Sequence, residues 1–135
     1  MVKRLLGVLV TVTAVLLTSC TTGADRLEVL RSDPMADYDL PNALLVRVTE
    51  TAGHIGPGVP SDAALRRTFT VAEGTVLAEL DVIADAARRE GWTIEEGAFG
   101  GYSGDKTIDG LFSQIRITGI DNDNLVWFSL STGDK

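Results

Sequence analysis

The chain has a single histidine and a single cysteine, so most reaction chemistry would have to be assembled around one or the other. His54 sits in Gly53-His54-Ile55-Gly56-Pro57-Gly58-Val59-Pro60-Ser61-Asp62, where a hydroxyl and an acid follow it. A general base needs a nucleophile and an orienting acid within hydrogen-bond reach. No G-x-S-x-G elbow surrounds Ser61, and a solvated loop histidine is the better reading. Zinc lacks ligands, since one histidine and one cysteine cannot fill a tetrahedral site. Asp121-Asn122-Asp123-Asn124 begins like a calcium loop. Val126 stands where that loop requires glycine, and no glutamate occupies its twelfth place. Asp33, Asp37 and Asp39 offer at most a weak calcium cluster. Gly100-Gly101-Tyr102-Ser103-Gly104-Asp105-Lys106 has the glycines and lysine of a phosphate loop, but neither the order nor the following helix. The expectation is therefore no catalytic residue, no cofactor and no metal, with a hydrolase the less favoured reading.

Cys20 is different, because its position carries the information. Lys3 and Arg4 precede an apolar run from Leu5 to Leu17, too short for the roughly 20 residues of a permanent span and suited to an export signal. Leu17-Thr18-Ser19-Cys20 closes that run and resembles the lipobox of bacterial lipoproteins. The resemblance implies a diacylglyceryl group on the Cys20 thiol, cleavage just before it, and a cysteine that begins the mature chain. Residues 1–19 are then a signal peptide. Two acyl chains give stable membrane residence where one gives marginal binding. Cys20 is expected to be a lipid attachment point on the outer side of the cytoplasmic membrane. Without a second cysteine there is no intramolecular disulfide.

The full chain has 135 residues, with 12 basic and 19 acidic side chains. Loss of Lys3 and Arg4 with the signal leaves 10 basic against 19 acidic, a formal charge of −9. That balance argues against nucleic-acid binding, which wants a basic stripe, and it repels anionic lipid, so the lipid is expected to hold the protein to the membrane unaided. The remaining length suits one domain.

Positioning elements follow from periodicity. Residues 20–42 are polar and acid-rich and read as a lipidated tether and lead-in, with a turn or two of helix over Arg26 to Arg31 stopped by Pro34. The domain proper spans 43–135. Leu44 to Thr51 alternates as a half-buried strand, and Arg67 to Val71 is a second. Glu73 to Glu90 places Val76, Leu77, Leu80, Ile83, Ala84 and Ala87 at helical spacing, with acids early and Arg88 and Arg89 late. Gly91 supplies the stop. Trp92 to Phe99 begins as a strand. Residues 97–106 read as a flexible glycine-rich loop. Leu111 to Ile117 and Leu125 to Ser131 alternate clearly across an Asx-rich turn and make a hairpin. The fold class is α+β: two layers, one amphipathic helix on a mainly antiparallel sheet of about five strands in ββαβββ order.

One helix covers one sheet face. Strict alternation puts Leu45, Arg47, Phe112, Gln114, Arg116 and Trp127 on the other, a candidate contact surface for an envelope protein or glycan. Asp33-Pro34-Met35-Ala36-Asp37-Tyr38, then Leu40-Pro41, Arg67-Thr68-Phe69, the alanine-rich helix and Gly91-Trp92 together resemble small exported actinobacterial proteins. This resemblance implies an origin and an architecture and supplies no active site. The expected role is a membrane-anchored envelope lipoprotein that binds or scaffolds without catalysis. The alternative is a small-ligand-binding lipoprotein with residues 53–62 and 97–106 as mouth loops.

Overall fold

Period-two patterning becomes strand and period-3.6 patterning becomes helix throughout a computed structural model of the chain, which describes residues 23–53 and 62–133. The expected signal peptide, Cys20, His54 and Ser61 lie outside the described residues. The elements are α1 (Gly23–Arg31), β1 (Leu44–Thr51), β2 (Ala64–Thr70), α2 (Val76–Arg89), β3 (Thr93–Glu96), β4 (Tyr102–Ile108), β5 (Leu111–Ile120) and β6 (Leu125–Thr132). All six strands form one antiparallel sheet in the order β1-β2-β6-β5-β4-β3. The architecture is α+β, as expected, but with a second helix and a sixth strand.

The added strand is β4, which occupies the second half of the stretch read as a loop. Its ladder to β3 needs Gly104, because a Cβ there would lie 2.3 Å from the Thr93 carbonyl oxygen. The hairpin of β5 and β6 forms where expected. Its turn ends on Asn124 in the left-handed conformation (φ 51°), which a short Asx side chain tolerates. β1 carries an irregularity between Leu45 and Arg47. This bulge changes parity, so Leu45 pairs with core-facing Phe69 and leaves the helix-free face where it was expected.

α2 lays Val76, Leu80, Ile83, Ala84 and Ala87 on the sheet, all buried. They meet the inward side chains of the central strands, Ile115, Ile117, Val126, Phe128 and Leu130. Phe128 lies at the middle of the core, 6.3 Å from the Phe69 ring and 6.2 Å from Tyr38. The helix ends as the sequence dictates. Gly91 has φ +92°, and Trp92 N–H donates to the Ala87 carbonyl at 3.0 Å.

The described part of the lead-in packs into this core. Leu27 and Leu30 of α1 are buried with Met35, Ala36 and Leu40 against the same cluster. Arg31 reaches Glu50 on β1 with two hydrogen bonds (3.2 and 2.5 Å) and holds that carboxyl below its usual range. Arg67, buried on the core side of β2, donates to the Tyr38 carbonyl (2.9 Å) and to Asp39 (2.7 Å).

Asp33 forms the tightest link. Its side chain is 1% exposed. Oδ1 accepts from Met35 N–H (2.9 Å) and from the Trp92 indole N–H (3.1 Å). Oδ2 accepts from Lys106 Nζ at 2.5 Å, and the same ammonium donates to the Glu90 carbonyl at 2.6 Å. One carboxylate thus joins the lead-in, the end of α2 and β4. Asp33 and Asp39 are engaged with cations and donors, and Lys106 faces the helix layer. Neither the weak calcium cluster nor the phosphate-loop reading keeps its residues.

Candidate functional site: the helix-free sheet face

β6 fixes which side chains the open face presents. Val126, Phe128, Leu130 and Thr132 are buried, and the alternate residues Leu125, Trp127, Ser129 and Ser131 stay partly exposed. Residues directly opposite one another across a sheet share a face. Arg47 pairs with Thr68, which pairs with Trp127. Arg66 and Arg116 both pair with Ser129 from opposite sides, and Gln114 pairs with Ser131. Phe112 pairs with Thr107 at the far end of the hairpin between β4 and β5. Arg47, Phe112, Gln114, Arg116 and Trp127, the expected contact residues, therefore share this face.

The register adds residues that the sequence did not single out. Arg116 also opposes Ser103 on β4, which opposes Glu95 on β3. Gln114 opposes Asp105, which opposes Thr93. Small hydroxyl side chains occupy the middle of the face, and larger charged ones flank them. Together with the normal twist of a sheet, this leaves an open hollow of about 420 Å³ bordered by Arg66, Arg116, Glu95 and Asp105, with Ser129 and Ser131 on its floor. That size lies within the range of small-ligand sites. Its lining is mostly polar, which suits hydrogen-bonded recognition.

Arg66 stands over the Trp127 ring at 5.6 Å from its centroid. Such a contact contributes about 0.5–1 kcal/mol at an exposed site. The contact places the Arg66 guanidinium beside the indole, and a guanidinium can donate bidentately to a planar anion. The same contact covers the indole, so Trp127 acts as a support for Arg66 more than as a bare stacking platform. None of Arg47, Arg66, Arg116, Glu95 and Asp105 forms an ion pair with another described residue.

Among the described residues no three histidine, cysteine or acidic side chains converge as a metal site. Asp62, the acid of the His54 loop, is exposed and faces Arg26 at 3.5 Å. The second half of the 97–106 stretch, expected as a mouth loop, is strand β4. The face presents the Arg66 and Arg116 guanidinium groups, the Glu95 and Asp105 carboxylates and the Ser129 and Ser131 hydroxyls around an open depression.

Sequence reasoning found Arg116, Gln114 and Trp127 from alternation within one strand. It missed Arg66, Glu95 and Asp105, whose relation to them depends on strand order. The available signal was Arg66-Arg67 itself, since adjacent arginines in a strand must point to opposite faces. Comparisons with protein-family models, curated proteins and solved structures return no match to this chain.

Proposed function

We propose that this protein is a lipid-anchored envelope protein that binds a partner through its helix-free sheet face and catalyses no reaction. The observation that carries the binding half of this reading is the set of charged side chains on that face with no ion-pair partner among the described residues, spread over hydroxyl-bearing strands.

The anchoring half rests on Leu17-Thr18-Ser19-Cys20 and the charged, apolar segment before it. α1 begins at Gly23, three residues after Cys20. Three residues reach at most about 10 Å, so an anchor on Cys20 would hold the domain against the lipid surface without a long tether. The acidic body adds no attraction to anionic lipid.

Arg116→Glu tests the binding role. Arg116 is exposed and has no ion-pair partner among the described residues, so its replacement should change stability by about 0.5 kcal/mol or less. Recovery of envelope partners from crosslinked membranes of the native host should nevertheless fall at least several-fold relative to wild type. An unchanged set of partners with an unchanged melting temperature would remove this face from the function.

A further inference from the structure

The charges bordering the hollow are sorted by sign along the strand order. Arg66 on β2 and Arg116 on β5 flank Ser129 on β6, and Arg47 on β1 extends the basic side. Asp105 on β4 and Glu95 on β3 form the acidic side. Asp105 is a diagonal neighbour of Arg116 across β4 and β5, yet no ion pair joins them. A simple anion would account for the arginines and leave the acids opposed to it. A simple cation would do the reverse. A ligand with one charge of each sign, set apart, is complementary to both groups together.

The spacing of the strands sets the distance between those charges. An anion shared by Arg66 and Arg116 sits over β6. A cation shared by Asp105 and Glu95 sits between β4 and β3. The two positions are about two and a half strand spacings apart, or roughly 12 Å at about 4.8 Å per strand. An extended peptide advances about 3.3 Å per residue, so three or four residues place a terminal ammonium and a terminal carboxylate at that separation. Ser103, Gln114, Ser129 and Ser131 lie along the path with hydroxyl and amide groups for the intervening peptide bonds. The floor is a strand surface carrying small hydroxyl side chains, and a second depression of about 240 Å³ shares Arg66, Ser129 and Ser131 with it.

Resting on the open face being the binding face, we propose that the hollow binds a short peptide with free termini lying across the strands. Its carboxylate sits between Arg66 and Arg116 and its ammonium between Asp105 and Glu95. The guanidinium of Arg66, braced on Trp127, offers a planar donor edge to the carboxylate.

The test uses full-length protein in mild detergent, titrated by calorimetry and amide-resonance mapping with three probes: tetra-alanine, its N-acetyl derivative and its C-terminal amide. The expected result is saturable binding of tetra-alanine with resonance changes on β3 to β6, and at least about tenfold weaker binding of each capped form. Arg116→Gln should erase the penalty for the amide and keep the penalty for acetylation. Glu95→Gln should do the opposite. These reciprocal losses would not arise from a general disturbance of the fold. No saturation up to about 10 mM, equal binding of capped and free peptide, or resonance changes confined to the helix layer would each overturn the proposal. If peptide fails to bind while Arg116→Glu still removes envelope partners, the ligand class is wrong and the binding face stands. If both fail, the face itself is wrong.

Discussion

A chain that begins at Ala43 is expected to show no cooperative melting transition, whereas one that begins at Gly23 should melt sharply. Residues 23–42 look expendable in composition, but Leu27, Leu30, Met35 and Leu40 are each 7% exposed or less. Burial of a large apolar side chain stabilises by roughly 1.5–3 kcal/mol, so these four contribute on the order of 6–12 kcal/mol. A domain of this size has a total stability of about 5–15 kcal/mol. The truncation also strips partners from Arg67, which is 8% exposed, and from Lys106. Their charges would remain in the wall of an opened core, where an unpaired charge is costly. Circular dichroism with thermal scanning distinguishes the outcomes. A cooperative melt of the shorter chain within a few degrees of the longer one would make the lead-in an appendage.

Asp33→Ala should lower the melting temperature by about 10–20 °C, corresponding to roughly 3–5 kcal/mol. The change removes the acceptor for three donors at once: Met35 N–H, the Trp92 indole N–H and Lys106 Nζ. Trp92 is 3% exposed, so its N–H cannot turn to water without moving the ring. Lys106 keeps only the Glu90 carbonyl among its bonded partners. Lys106→Met leaves the carboxylate buried and short of its cation, and should cost a similar amount. In the double variant the two losses should add to clearly less than their sum, because each single change already breaks the same pair. Thermal melts of the four proteins check this. Fully additive losses would mean that the two residues act separately.

The same contacts explain which parts of the fold were legible in the sequence. β1, β5, β6 and α2 each repeat a hydrophobic period within a single segment, and a period is local information. β4 broke the rule for a physical reason. Its core-facing positions are Tyr102, Gly104, Lys106 and Ile108. One of these must lack a side chain to let β3 approach, and another ends in an ammonium that neutralises Asp33. Glycine and lysine at inward positions erase the alternation that marks a strand. The lead-in was read as a tether because its acids look solvated. The partners that draw Asp33 inside lie 59 and 73 residues further along the chain. Leu45 left the open face because a bulge shifted parity within β1. The candidate site divides along the same line. Arg116, Gln114 and Trp127 came from alternation, while Arg66, Glu95 and Asp105 joined them only once β2 was seen beside β6 and β3 beside β4.

The exposed edge has a bearing on handling the protein in solution. Leu44, Val46 and Val48 of β1 are 68%, 49% and 46% exposed. The bulge at this point twists the edge and disfavours pairing with another strand. No helix among the described residues is long and apolar enough to cross a membrane.

The measurement that bears most directly on that function is the intact mass of the mature protein taken from the membrane fraction of its native host. A chain that begins at Cys20 and carries a diacylglyceryl adduct on that residue, with Cys20→Ser lost from the membrane, is the predicted result. A released chain with an unmodified Cys20 thiol, or one cleaved at another residue, would contradict it and make Leu17-Thr18-Ser19-Cys20 a secretory cleavage site only.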